Sequence, residues 1–150
     1  MRKAAKGYRK TSRGLESADV AKQRRTAPAV VGMATVHLVW IPKRRKSVLV
    51  DEVKIRLSQI FSSVASEKKW IIRSLEIAPD HLHLLVEYDN STSIAEVARA
   101  FKGRSSRVLR KEFPHLLKLP SLWSRSYFYE TTGKISTAKI KAYIEDPHHW

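Results

Sequence analysis

The sequence predicts an α+β domain built on one antiparallel sheet. Two observations carry this. Short β-branched and aromatic runs alternate apolar with polar residues, while longer stretches repeat apolar residues at helical spacing. Read along the chain, these segments follow the order β-α-β-β-α-β-α. The first six match the ferredoxin-like, RRM-like split βαβ arrangement, with helices on one face and the other face free for a substrate. The seventh is an extra C-terminal helix bearing a tyrosine.

Residues 34–41 (ATVHLVWI) read as the first strand. A basic loop, Pro42-Lys43-Arg44-Arg45-Lys46, follows. Residues 48–68 carry Val53, Leu57, Ile60, Phe61 and Val64 on one helical face. Residues 70–77 and 81–87 are two strands joined by a short Pro79-Asp80 turn. Ser93, with Glu96 three residues on, forms a capping box for a helix reaching Glu112. Residues 126–131 (SYFYET) make a fourth strand. Gly133 then breaks the chain, and residues 131–135 read as a flexible link. Ser136 or Thr137 caps the last helix, whose one face carries Ile140, Tyr143 and Ile144. It ends near Asp146, because Pro147 disfavours helical geometry in the residue before it.

The chain has 150 residues, 43% of them hydrophobic, which suffices for one domain with a real core. Its formal net charge of +15 points to a polyanionic partner. No apolar run approaches the roughly 18 residues of a membrane span, so nucleic acid is the better reading. The absence of cysteine excludes disulfides, thiolate zinc sites and cysteine nucleophiles, and agrees with a cytoplasmic, nucleoid-associated protein. In residues 1–33, nine Lys or Arg stand against Glu16 and Asp19, a net of +7. This predicts a disordered basic arm able to hold DNA by counterion release. Met33, immediately before the first strand, is an alternative start. Residues 34–150 read as the folded domain.

His81-Leu82-His83 is the most informative motif. In a strand, alternate side chains share a face, so both imidazoles point one way and make a beginning of a divalent metal site. Leu82, Leu84 and Val86 then pack on helices. The plainer reading is a histidine pair satisfied by hydrogen bonds. On the second helix, Arg104, Arg107 and Lys111 share a face, and Lys102 is a further cation of the same helix. With Lys43, Arg44 and Arg45 they predict phosphate contacts, against the plainer reading of a solvated charge stripe. Trp123 and Tyr127 either stack on unpaired bases or belong to the core. His37 reads as structural. Tyr143, judged from its residues alone, reads as a half-buried member of an amphipathic face.

The stretches Thr35-Val36-His37-Leu38-Val39-Trp40, Pro79-Asp80-His81-Leu82-His83-Leu84-Leu85-Val86-Glu87, Phe101-Lys102-Gly103-Arg104-Ser105-Ser106-Arg107, Leu122-Trp123-Ser124-Arg125-Ser126-Tyr127-Phe128 and Tyr143-Ile144-Glu145 together resemble the single-tyrosine HUH transposases of bacterial and archaeal insertion sequences, the IS200-like family. The resemblance implies an enzyme that cuts and rejoins single-stranded DNA at the hairpin ends of a mobile element. It implies Mg²⁺ or Mn²⁺ on His81, His83 and a third polar ligand. It also implies that Tyr143 attacks a phosphodiester, forming a 5′-phosphotyrosine and freeing a 3′-hydroxyl. Family members are homodimers in which the tyrosine helix can serve the partner's site.

One departure matters. The family places a Gln four residues after the tyrosine as third ligand, and this chain has Pro147 there. Asp146 is the first replacement, being an oxygen donor on nearly the same helix face. His148 comes next, ahead of His149, and a degenerate C-terminus is the alternative. A non-catalytic single-stranded nucleic-acid-binding module, or a domesticated relative acting on chromosomal repeat hairpins, are the competing functions.

Overall fold

The structure, a computed structural model, describes residues 32–131 and 136–150. The basic arm predicted for residues 1–33 lies outside the described residues but for its last two. The link predicted around Gly133 lies outside them but for Thr131.

The four strands are β1 (Met33–Trp40), β2 (Ile71–Ala78), β3 (His81–Asp89) and β4 (Phe128–Glu130). They form one sheet in the order β2-β3-β1-β4, every neighbouring pair antiparallel. The helices are α1 (Asp51–Lys68), α2 (Ile94–Glu112) and α3 (Thr137–Glu145). This is the predicted split βαβ sheet with its additional helix.

Alternation decides the two faces. Val36, Leu38 and Trp40 of β1 and Leu82, Leu84 and Val86 of β3 are fully buried and form the main core. Val53, Leu57, Ile60 and Phe61 of α1 and Val97 and Phe101 of α2 close over them. Phe61 and Phe101 bring the helices together with ring centroids 4.9 Å apart. On the opposite face a smaller cluster joins Val39 and Ile41 to Ile140, Tyr143 and Ile144 of α3, with Phe128 packed against it. The third helix therefore sits across the sheet from the other two.

Local chemistry fixes the ends. Glu96 N donates to Ser93 Oγ at 3.1 Å and Ser93 N donates to Glu96 Oε1 at 3.0 Å, completing the predicted capping box. Ser136 Oγ accepts from Lys139 N at 3.3 Å at the start of α3. Helix α1 begins at Asp51, three residues later than the periodicity predicts. Leu49 is held instead by its N–H donating to Pro79 O at 3.0 Å, which ties the basic loop to the β2–β3 turn. Strand β4 is shorter than predicted, because its first two residues belong to a loop that Lys102 holds.

Candidate active site

The register of three strands assembles a cluster of imidazoles. β1 and β3 pair Val39 with His83 and His37 with Leu85; β2 places Glu76 opposite His83. Odd residues of β1 and β3 share the face away from α1 and α2, so His37, His81 and His83 meet there. A one-residue slip of β3 would turn His81 and His83 toward the helices and part them from His37. His37 Nε2 lies 3.4 Å from His83 Nδ1, with the rings stacked at 15°. The His81 and His83 rings are 5.2 Å apart.

Each ring has its own environment. Burial pushes His83 below the ordinary imidazole range, the neighbouring His81 and His37 push it further, and Glu76 partly offsets them. Burial also lowers His37, against the opposing charges of Glu130 and Glu76. Both rings are therefore neutral near neutral pH, the form a metal requires. His81 Nδ1 is 2.9 Å from Asp80 Oδ1, and Asp80 Oδ2 accepts from Arg45 Nε at 2.8 Å. With its proton on Nδ1, His81 keeps Nε2 for a ligand.

Tyr143 lies on the same face of the sheet, buried against Phe128 with ring centroids 6.0 Å apart. Its hydroxyl is 2.9 Å from Ser126 Oγ. Burial pushes the phenol up, and the Ser126 hydrogen bond offsets part of that. It is an un-ionised phenol, a weak nucleophile until a base takes its proton.

The structure brings His81, His83 and Tyr143 to one face and corrects other expectations. Among the described residues no group of three His, Cys, Asp or Glu side chains is arranged to hold a metal ion. Asp146 and His148 meet each other in the turn after α3, and no such group forms about His81 and His83 among the described residues. Asp146 Oδ1 instead accepts from His148 N at 3.0 Å, capping the Pro147–His149 turn, and Oδ2 stands 3.6 Å from His149 Nε2. Pro147 causes this, ending α3 at Glu145 and turning Asp146 into a cap.

Among the expected DNA contacts, Trp123 is in the core. Its ring meets Trp40 edge-on and Nε1 donates to Ser105 Oγ at 2.9 Å. Lys102 is half-buried, and its Nζ donates to the carbonyls of Ser124 (2.8 Å) and Ser126 (3.1 Å). Desolvation pushes it down to about 8. Arg104 pairs with Glu67 of α1, and Arg45 with Asp80. These side chains hold the fold or the site together. Lys43, Arg44, Arg107 and Lys111 form no ion pair among the described residues and remain available to phosphate.

Sequence reasoning missed His37 and Ser126 as members of the site. His37 was detectable only through the β1–β3 register. Ser126 lies in a motif that carries the family resemblance, but its side-chain partners are not legible there, because loop 124–126 is placed by Lys102 from a distant helix.

Comparison with known proteins agrees with this geometry. Residues 30–147 match the family model described as "Transposase IS200 like". The chain is 34% identical over 115 residues to the ISDra2 transposase TnpA of Deinococcus radiodurans, covering 75% of this chain and 82% of that protein. It is 31% identical over 112 residues to the transposase for insertion sequence element IS200 of Salmonella typhimurium, covering 73% of each. Among solved structures, a candidate transposase from Deinococcus radiodurans R1 superposes with a TM-score of 0.71 at 36% identity, covering 78% of this chain and 92% of that one. With the ordered motifs, the sheet and a match across most of its length, this chain belongs to the IS200-like transposase family.

Proposed function

We propose that this transposase cleaves and rejoins single-stranded DNA at hairpin-bearing element ends through a 5′-phosphotyrosine on Tyr143. The observation that supports this reading is the common face of Tyr143, His81 and His83. Val39, which shares a cluster with Tyr143, is the direct cross-strand neighbour of His83.

His81 and His83 fit a divalent cation, being two imidazoles on one rigid strand, one already oriented by Asp80. They would hold Mg²⁺ or Mn²⁺, which when bound neutralises charge on the scissile phosphate. Lys43, Arg44, Arg107 and Lys111 supply phosphate contacts that position the strand without reading sequence. Tyr143 then attacks phosphorus, and the 3′-oxygen leaves. The covalent link conserves the phosphodiester energy, so a 3′-hydroxyl can rejoin without ATP. Two copies assemble as a homodimer in this reading.

Incubating the protein with single-stranded oligonucleotides from the flanks of its own gene, with Mn²⁺, tests this. A covalent protein–DNA adduct that is absent in Tyr143→Phe is expected. Tight binding with no adduct at any metal concentration would transfer the chain to the non-catalytic binding class. Light scattering tests the dimer.

A further inference from the structure

The phenol of Tyr143 heads a row of polar groups. Its hydroxyl is 2.9 Å from Ser126 Oγ, which is 3.0 Å from His149 Nδ1. His149 Nε2 in turn is 3.6 Å from Asp146 Oδ2. The His149 ring also lies over Tyr143, with centroids 4.3 Å apart and planes 32° apart. The turn that carries His149 is fastened at both ends. Ser124 Oγ donates to the His149 carbonyl, and Trp150 Nε1 donates to Ile144 O at 3.0 Å.

One ordering of protons satisfies the whole row. The Asp146 carboxylate favours the His149 proton on Nε2, which leaves Nδ1 as an acceptor. Ser126 then donates to His149 Nδ1 and accepts from Tyr143. Every donor points from the phenol toward the imidazole. A purely structural hydrogen bond for a buried tyrosine would need only Ser126. The imidazole and carboxylate behind it are what a proton acceptor requires.

We propose that Ser126 and His149 form the proton relay of Tyr143, with Asp146 steadying the imidazolium that results. This rests on the assignment of Tyr143 as nucleophile. As the Tyr143 oxygen bonds to phosphorus, its proton passes to Ser126 Oγ, whose own proton passes to His149 Nδ1. The bond between phosphorus and the 3′-oxygen breaks, and that oxygen takes a proton from water. In rejoining, the 3′-hydroxyl loses its proton to water as it attacks. The P–O(Tyr143) bond breaks, and His149 returns its proton through Ser126 to the phenolate. No oxidant or further reactant is needed.

The titratable groups facing His149 are Tyr143 from α3 and Asp146 from its C-terminal cap. Loop 124–126 brings two serine hydroxyls against it. The same bonds explain why the chain tolerates Pro147 after α3: the proline directs the following turn, and so His149, back onto Tyr143.

The test compares the initial rate of adduct formation across pH for the wild type, His149→Ala, His149→Gln, Ser126→Ala and Ser126→Thr. General-base assistance contributes roughly 10²–10⁴-fold. The His149 variants and Ser126→Ala are therefore expected to be about 100-fold slower at neutral pH. Their rates should rise only at more alkaline pH, with DNA affinity unchanged. Ser126→Thr, which keeps the hydroxyl, should restore most of the rate. Nitrogen NMR of the histidine rings gives a readout without DNA. His149 Nδ1 should be an acceptor in the wild type and lose that bond in Ser126→Ala. Variants with the wild-type pH profile would overturn the relay alone. A wild type that forms no adduct at any pH would overturn the nucleophile assignment, and the relay with it.

Discussion

Asp80 Oδ1 stands 2.9 Å from His81 Nδ1, while its second oxygen accepts from Arg45 Nε at 2.8 Å. Burial alone would raise the Asp80 carboxyl, but the hydrogen bonds from His81 and Arg45 outweigh it and hold the group below its usual value. The Arg45 guanidinium also lies over the Trp150 ring, 5.5 Å from its centroid. The carboxylate therefore links the imidazole to the loop and to the turn after α3. Outer partners of metal-bound histidines typically contribute 10–100-fold in affinity. Asp80→Ala is expected to weaken Mn²⁺ binding by about 10-fold or more, with Arg45→Ala weaker in effect. Calorimetric titration of the metal measures both, and equal affinity in Asp80→Ala would deny the carboxylate this role.

His81→Ala and His83→Ala should each abolish metal-dependent cleavage. Both side chains face away from the main core, so the far-ultraviolet circular dichroism should be unchanged. DNA affinity should largely survive, because phosphate contacts dominate it. Full cleavage by the double variant would remove the metal assignment.

Tyr143→Phe keeps the ring against Phe128 and removes one hydrogen bond. Stability should fall by about 1 kcal/mol or less, while the covalent adduct disappears entirely. Thermal unfolding and a gel-shift under denaturing conditions separate the two effects. Residual adduct would point to another nucleophile, with the exposed Tyr129 the first to examine.

The cations of α2 divide by environment. Arg107→Ala and Lys111→Ala should weaken single-stranded DNA binding across all sequences, each lowering the salt slope by about 0.7. Neither should alter the unfolding temperature appreciably. Lys102→Ala should do the opposite, freeing the Ser124 and Ser126 carbonyls and lowering stability. A Lys102 variant that lost only DNA affinity would contradict the internal role.

Asp89 predicts an acid limb in stability. It accepts from Thr92 Oγ1 at 2.6 Å, Ser91 Oγ at 2.7 Å and Trp70 Nε1 at 2.8 Å. The Thr92 hydrogen bond leads in drawing the carboxyl down to about 2, against a burial effect of opposite sign. Because the folded value lies below the unfolded one, this contribution is complete above about pH 4 and lost as pH falls toward 2. Asp89→Ala should remove about 1 kcal/mol at neutral pH, after allowing for solvent screening of a partly exposed group. Denaturant melts at pH 7 and pH 2.5 should show the gap closing.

The sequence by itself determined the elements, the faces and the family. Alternation in residues 81–87 and helical spacing in α1 and α2 depend on local periods of two and 3.6, which a single chain displays directly. The family resemblance, carried by motifs in order, named His81, His83 and Tyr143. Tertiary structure decided what each neighbour does. His37 joins the imidazoles through a register between strands more than forty positions apart. Trp123, Lys102 and Arg104 read as DNA contacts because a cation or an indole is the same letter in either setting. Packing against Ser105, the loop carbonyls and Glu67 gave them internal work. Asp146 is a helix-face carboxylate in the sequence and a turn cap in the fold, since Pro147 rotates the chain away from the helix. Sequence encodes local geometry through short-range sterics. The partners of a polar group are set by long-range contacts, and only the folded chain brings those together.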